Sequence, residues 1–143
     1  MSFSDFMLSG GRRVCKEHYI HLVQTARVDG KIGNEELKML HKEGRKFGLT
    51  DPEIDSIIQS EAYHHYTPPY SLKGKFEHLY NVAQMILADD VITEGERKMI
   101  KRFAIEAGFN DAGVEGILEI LFEGIPKGED EETLLKKFRK KHL

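Results

Sequence analysis

The sequence repeats one pattern of apolar and acidic residues after about 60 positions. The centre of the first copy reads Val28-Asp29-Gly30-Lys31-Ile32-Gly33-Asn34-Glu35-Glu36, and that of the second reads Ala88-Asp89-Asp90-Val91-Ile92-Thr93-Glu94-Gly95-Glu96. In both copies an apolar segment of helical period ends at an aspartate, and a turn, an isoleucine and a glutamate follow. A chain with such a repeat is expected to fold as two similar units that pack on each other.

The apolar residues of each copy have the spacing of helices. A first helix is marked by Cys15, Tyr19, Leu22, Val23 and Ala26 in one copy and by Leu79, Val82, Ala83 and Ile86 in the other. The second helix of the first copy has an inner stripe of Leu40, Gly44 and Phe47. The third helices are marked by Ile54, Ile57 and Ile58 and by Val114, Ile117 and Leu118. The sequence therefore predicts two three-helix units, at about 14–60 and about 74–121.

The rest of the chain predicts terminal helices and a connection. Phe3, Phe6 and Met7 suggest a short helix at the start, and a C-terminal helix is expected at about 129–141, acidic first and basic last. The connection, residues 63–70, contains two prolines that end any helix. Because no stretch alternates convincingly like a strand, we expect one all-α domain over residues 1–143, a helical bundle of six to eight helices.

Composition and charge narrow the class of protein. The 143 residues have a net charge of −3, which gives no general attraction to nucleic acid. No run approaches the roughly 18 apolar residues that a membrane-spanning helix needs, and the first residues do not resemble a secretory signal. The single cysteine, Cys15, excludes an internal disulfide and suits a reducing compartment. We therefore expect a cytoplasmic protein that binds no nucleic acid and does not insert into a membrane.

The turn motif invites comparison with the calcium-binding EF-hand loop. If Gly30 is the central glycine of that loop, Thr25 and Arg27 occupy positions 1 and 3, where carboxylates are needed. In the second copy these positions are Met85 and Leu87. Calcium takes six to eight oxygen ligands, so this loop by itself is not a working EF-hand.

The paired motif resembles the TerB-like family, named for the tellurite-resistance protein TerB; a related domain occurs in a membrane-anchored DnaJ-type co-chaperone. The matching stretches are Ala26-Arg27-Val28-Asp29-Gly30-Lys31-Ile32 with Glu36, and Leu87-Ala88-Asp89-Asp90-Val91-Ile92 with Glu96. The likeness covers residues 14 to 121, about three quarters of the chain. It implies an all-helical protein that senses or binds metal ions or partner proteins in stress responses. Asp90 departs from the family's usual glycine and adds a carboxylate.

The acids of the two motifs have two interpretations. Thr93 and Glu96 have the spacing of a capping box, in which each side chain accepts from a backbone N–H of the other, and aspartates commonly close turns. Alternatively, Ca²⁺ or Mg²⁺ binds weakly where carboxylates of the two copies meet. The candidate metal ligands are Asp29, Glu36, Asp89, Asp90 and Glu96. If the acids form a binding site, the expected function is a stress-response module that binds a metal ion or a partner protein. If they are only helix caps, the expected function is a pure protein–protein adaptor.

Other reactive residues give no catalytic pattern. His18 and His21 are spaced i, i+3 on a helix, but no Cys-x-x-Cys or His-Glu-x-x-His frame accompanies them. We therefore interpret the histidines as surface or partly packed residues. The chain also lacks a Gly-x-Ser-x-Gly motif and a phosphate-binding glycine loop, so a non-enzymatic function is expected.

Overall fold

Seven α-helices account for most of the residues that the structure describes. The computed structural model describes residues 5–7, 13–26, 32–46, 48–61, 64–89 and 92–142, with side chains at 17–26, 32–46, 48–61, 64–88 and 92–141. The helices are α1 (Lys16–Ala26), α2 (Asn34–Arg45), α3 (Asp51–Glu61), α4 (Leu72–Ile86), α5 (Glu94–Glu106), α6 (Asp111–Gly124) and α7 (Glu131–His142). A 3₁₀ turn, Leu87–Asp89, continues α4. The all-α class predicted from the sequence is confirmed.

A short hairpin before α1 corrects the prediction for the start of the chain. Strands β1 (Asp5–Met7) and β2 (Arg13–Cys15) pair antiparallel, with Asp5 opposite Cys15. The expected short helix at the first phenylalanines is therefore wrong at residues 5–7, and Cys15 lies in β2 rather than in the first helix. Three residues per strand are too few to show a period of two, which is why the alternation was missed.

The helix bounds have the interval of the sequence repeat. Helices α1 and α4 end 60 positions apart, and α2 and α5, like α3 and α6, begin 60 positions apart. Gly48 and Gly108, at φ 79° and 101°, take the left-handed conformation in the turns after α2 and α5. We call α1–α3 unit 1 and α4–α6 unit 2. The bounds differ from those predicted at α4, which begins at 72, and at α7, which begins at 131.

One hydrophobic core contains residues of both units. The predicted stripes of α1 and α4 are fully or almost fully buried: Tyr19, Leu22, Val23 and Ala26, and Leu79, Val82, Ala83 and Ile86. Leu40 and Gly44 of α2 are buried as well, while Phe47 lies outside the described residues. Helix α7 packs on α4 and α6 and buries Leu134, Leu135 and Phe138. Among the described helices, none has the length and apolar character required to cross a membrane.

Side chains cap the first turns of the helices. The predicted capping box of α5 is confirmed, because Thr93 Oγ1 accepts from Glu96 N at 3.1 Å and Glu96 Oε1 accepts from Thr93 N at 3.0 Å. At α3 the pair Asp51-Pro52 predicts a cap at Asp51 with proline at the first helical position, and this prediction is wrong. Thr50 forms the reciprocal pair with Glu53 instead, at 3.3 and 2.9 Å, and the Asp51 carboxylate accepts from His41 and Arg45. Hence Pro52 follows the cap by two positions.

Candidate binding cleft and cross-unit charges

A cleft of about 410 Å³ lies where the end of α1 meets the first turns of α2 and α5. Its inner surface consists of residues that are buried or half-buried: Thr25, Ala26, Met39, Gly95 and Met99. Its edge carries five charged residues: Glu35, Glu36, Glu94, Lys98 and Arg102. Both copies of the turn motif border the cleft, since Glu35 and Glu36 belong to the first copy and Glu94 and Gly95 to the second.

Close contact between α2 and α5 shapes the floor of the cleft. A Cβ atom at Gly95 would lie 2.6 Å from Sδ of Met39, so the absence of a side chain lets the methionine cross between the helices. Met99 is 7 % exposed beside it. Methionine is unbranched and polarizable, so a floor made by Met39 and Met99 adapts to ligand side chains of different shape.

Glu36, a predicted site residue, forms a cap and an ion pair. Its Oε1 accepts from Gly33 N at 3.4 Å, and its Oε2 accepts from Arg102 Nη1 at 2.9 Å. The same arginine nitrogen donates to the carbonyl of Ala26, at 3.4 Å, the last residue of α1. Arg102 therefore joins unit 2 to two helix ends of unit 1, and Glu36 is held by these contacts at the edge of the cleft.

Glu96 is the second predicted metal ligand whose side chain is described. It is fully buried and does not line the cleft. Besides the Thr93 cap, its Oε1 accepts from Lys42 Nζ at 3.2 Å, and Lys46 Nζ lies 3.7 Å from Oε2. Burial by itself would raise the pKa of Glu96. The pKa is nevertheless lowered to about 2. The causes are hydrogen bonds from Glu43, the Thr93 backbone and Lys42, together with the charge of Lys46. Glu96 is thus ionised and compensated by lysines.

Glu43 is a buried acid that the sequence interpretation missed. It has no exposed surface, and Lys46 Nζ lies 2.7 Å from its Oε1. If both residues are carboxylates, Glu43 Oε2 and Glu96 Oε2 lack a hydrogen-bond donor, and Glu43 Oε1 has only the Lys46 contact. Burial, with the hydrogen bond to Glu96, raises the pKa of Glu43 well above its ordinary value, so a protonated Glu43 supplies the missing donor. The sequence contained one indication that position 43 is buried. The residue at the matching position of the second copy, 60 positions later, is the apolar Phe103, which is buried in the structure.

The charged contacts between the units are reciprocal. Glu36 of unit 1 pairs with Arg102 of unit 2, and Glu96 of unit 2 pairs with Lys42 of unit 1. The two acids are 60 positions apart, and so are the two bases. Basic residues also donate to the last carbonyls of the opposite unit's first helix, from Arg102 to Ala26 and from Lys46 to Ile86. Each unit therefore satisfies helix-terminal groups of the other.

The remaining predicted metal ligands lie outside the described side chains. Asp29 falls within residues 27–31 and Asp90 within residues 90–91, and Asp89 is described in its backbone, at the end of the 3₁₀ turn. The two described ligands, Glu36 and Glu96, have different basic partners. Within the part of the chain whose placement is described, no three His, Cys, Asp or Glu residues are arranged to hold a metal ion.

Three histidines and a tyrosine form a ring cluster between α1, α4 and the connecting segment. The rings of His21 and His78 stack with centroids 4.6 Å apart, and His18 lies edge-on at 5.4 Å from His78. The hydroxyl of Tyr66, from the connection, forms a hydrogen bond with Nδ1 of His78 at 2.8 Å. Burial, followed by the neighbouring histidines, lowers the pKa of His21 to about 4, and burial also lowers that of His78. His21 and His78 are therefore packed, neutral side chains.

The described lining of the cleft contains one hydroxyl group and one amine. Its one hydroxyl group, that of Thr25, donates to the Leu22 carbonyl at 2.9 Å, and its described residues include no histidine or cysteine. Glu43 and Glu96, two buried acids with shifted pKa values, lie outside this lining. Comparison with known proteins adds no assignment, because no family model, curated protein or solved structure matches the chain.

Proposed function

We propose that the protein is a non-enzymatic, TerB-like stress-response module of the cytoplasm that binds a segment of a partner protein in the cleft. The observation that carries this proposal is the state of the charges along its edge. Arg102 neutralises Glu36, whereas Glu35, Glu94 and Lys98 have no ion-pair partner among the described residues. Two uncompensated acids against one base favour a ligand with a positive charge.

The apolar part of the same ligand is expected to contact the methionines. Met39 and Met99 offer a deformable surface at the bottom of the cleft, and surfaces of this kind accommodate varied side chains. The proposed ligand is therefore a short peptide segment with an apolar side chain flanked by lysine or arginine. A non-enzymatic function is further supported by the full burial of Glu43 and Glu96, where no substrate reaches them.

Divalent-cation binding is the second candidate function. Three carboxylates, Glu35, Glu36 and Glu94, border one cleft, and the motif acids Asp29 and Asp90 are near them in sequence. Carboxylate oxygens suit Ca²⁺ and Mg²⁺. Against this, Glu36 and Glu96 already cap helices and pair with bases, which supports an adaptor whose motif acids are structural.

Binding of defined peptides tests the first candidate. The probes are ten-residue peptides with a central leucine, flanked by lysines, glutamates or serines, titrated against isotope-labelled protein by NMR. We expect the lysine peptide to bind most tightly and to shift amide signals of residues that line the cleft. Glu94→Lys should reverse the charge preference, whereas the matched change Glu119→Lys, at an exposed position of α6, should leave it unchanged. Equal binding of all three peptides, or signals shifted elsewhere, would refute the cleft as the binding site.

Titration with CaCl₂, MgCl₂, MnCl₂ and ZnCl₂ separates the two candidates. If the motif acids bind a cation, calorimetry should detect saturable binding that Asp29→Asn/Asp89→Asn weakens. If the acids are caps, the wild type should show no saturable heat. The peptide result is independent of this one, so failure of one candidate does not decide the other.

A further inference from the structure

Lys46 places its ammonium group inside a cage of oxygen atoms at the junction of the two units. Around Nζ, the described residues supply Glu43 Oε1 at 2.7 Å, the carbonyl of Met85 at 2.9 Å, that of Ile86 at 3.1 Å and Glu96 Oε2 at 3.7 Å. These oxygens come from α2, from the end of α4 and from α5, so the cage spans both units. The cage is also separate from the cleft, whose lining contains none of these residues.

Burial makes this arrangement unusual for a lysine. The side chain of Lys46 is 8 % exposed, and those of Glu43 and Glu96 are fully buried. Lys42, by contrast, pairs with Glu96 from a position that is 38 % exposed. Taking an ammonium ion out of water is costly unless oxygen atoms replace its hydration shell. The four oxygens around Nζ provide that replacement.

We infer that this junction is a cation-binding site in which the Lys46 ammonium is the resident cation. Two carboxyl groups and two helix-terminal carbonyls form the donor set that hard cations prefer in proteins. The N···O distances of 2.7 to 3.1 Å are those of hydrogen bonds to an ammonium group, and they exceed the 2.3–2.6 Å of calcium–oxygen contacts. The ligand class of the site is thus a small cation that binds oxygen, either a primary ammonium group or a metal ion.

The Lys46 ammonium group offsets the negative charge at this junction. The carbonyls of Met85 and Ile86 lie at the negative end of the α4 dipole, which adds to the attraction for a positive charge. The Lys46 side chain delivers that charge from the end of α2, and the wild-type site therefore contains its own cation. The substitution Lys46→Ala should leave a cage of oxygen atoms that a cation from the solution fills.

Chemical rescue of Lys46→Ala tests the inference. We expect the substitution to lower the melting temperature by at least about 6 °C, because it removes one partner of a buried charge network. Methylammonium, potassium or calcium chloride at about 0.1 M should then raise the melting temperature of Lys46→Ala. The control is tetramethylammonium chloride of equal ionic strength, since that ion is bulky and has no N–H donor. We expect a melting temperature at least about 3 °C above that of the control. If Lys46→Ala does not fold in buffer, the same salts should restore folding, measured by circular dichroism.

Two variants separate this site from any other cation site. Lys42→Ala removes a lysine from the same acid, Glu96, but vacates no buried cage, so it should show no selective rescue. Lys46→Met fills the space without charge and should likewise not respond. The inference is overturned if no cation stabilises or refolds Lys46→Ala beyond the tetramethylammonium control. It is also overturned if the wild type, Lys42→Ala or Lys46→Met shows an equal rise, since the cation would then act elsewhere.

Discussion

Gly44 lies where α2 packs against Tyr19 of α1 and Ile54 of α3. A Cβ atom there would be 2.7 Å from Ile54 Cγ1 and 3.0 Å from the hydroxyl of Tyr19, and both neighbours are fully buried. The Tyr19 hydroxyl is fixed further by donating to the Leu40 carbonyl at 2.7 Å. Neither neighbour has room to move, so the glycine is required by packing rather than by backbone conformation.

Alanine at two glycine positions should therefore have opposite effects. Gly44→Ala is expected to lower the free energy of unfolding by about 1–3 kcal/mol, because overpacking outweighs the gain in helix propensity. Gly113→Ala, on α6 with no atom within 4 Å of the added carbon, should be neutral or stabilising by up to about 1 kcal/mol. Urea unfolding of both variants measures the difference, and equal effects would contradict the packing at Gly44.

The two buried acids should also respond differently to neutralisation. Glu43→Gln retains a donor toward Glu96 and should change the free energy of unfolding at pH 7 by less than about 1 kcal/mol. Glu96→Gln leaves buried Lys46 without its ionised partner and should cost about 3–5 kcal/mol. Chemical unfolding at pH 7 is the measurement. A loss in Glu43→Gln as large as that in Glu96→Gln would mean that Glu43 is ionised.

The pH dependence of the stability of Glu43→Gln gives a second test of the protonation of Glu43. The raised pKa of Glu43 means that the folded state retains a proton that the unfolded state loses above pH about 4.5. The wild type should therefore lose this part of its stability as pH rises from about 4.5 toward the folded pKa. Glu43→Gln should lack that loss.

Single residues were the hardest part of the molecule to predict from the sequence. Glu43 was missed because a charged residue between Leu40 and Gly44 is usually exposed, and the pairing that lets it be buried comes from unit 2. Glu36 and Glu96 each precede an apolar residue by four positions, Leu40 and Ile100, which predicts that both lie along the packed face. Glu96 is fully buried there, whereas 27 % of the Glu36 side chain is exposed at the cleft edge. Basic partners for both acids lie more than 50 positions away in the chain.

At the scale of elements, the ring cluster joins α1 and α4 through protonation-sensitive contacts. His21 has a pKa of about 4 in the folded protein against 6.5 in the unfolded chain. The contribution of neutral His21 to the free energy of unfolding is therefore complete above pH about 6.5. It is lost as the pH falls toward 4, since the unfolded state takes up the proton first. His78 acts in the same direction.

The histidine contribution to the free energy of unfolding should accordingly decrease from pH 7 to pH 5, by up to about 1.4 kcal/mol per pH unit for one histidine, opposite in sign to the contribution of Glu43. His41 offsets this loss only between pH 7 and about 6.5. Hydrogen bonds to Asp51 and Asp55 raise its pKa, so its contribution is already complete below pH 6.5 and is lost only at higher pH. Urea unfolding across this pH range should give a smaller slope for His21→Asn than for the wild type, and an unchanged slope for His65→Asn, at an exposed position. Equal slopes for the wild type and His21→Asn would contradict the cluster's role.

The helices themselves were predictable because their apolar stripes are long. Three or four matched apolar residues per helix located α1, α3, α4 and α6, and the acid-to-base order located α7. The hairpin was not predictable, since its pairing depends on two short segments with no pattern of their own. The cap of α3 was misplaced by one position because aspartate before proline fits a cap as well as threonine does.

At the scale of the whole molecule, the 60-residue interval predicts two units but not how they meet. The cleft and the oxygen cage both arise from residues of α2 and α5 brought together across the interface. Periodicity within a helix contains no information on such contacts. The interface is nevertheless described by a simple rule, since the acid of each unit pairs with the base of the other.

That rule predicts the cost of breaking one cross-unit contact. Arg102→Ala removes the donor to both Glu36 and Ala26 and should lower the free energy of unfolding by about 1–2 kcal/mol. Lys98→Ala, one turn earlier on the same helix with no ion-pair partner among the described residues, should change it by less than about 0.5 kcal/mol. Thermal or urea unfolding of the two variants is a direct comparison, and equal losses would contradict a bridging role for Arg102.

The reciprocal donation to the ends of α1 and α4 has a consequence for how the protein opens. Neither unit can separate without exposing the last carbonyls of the other unit's first helix and, at the same time, the shared core. The two units should therefore form one cooperative unit of native-state exchange rather than two. Amide hydrogens in the middle of α1 and of α4 should acquire deuterium at rates that correspond to the same opening free energy, close to that of global unfolding.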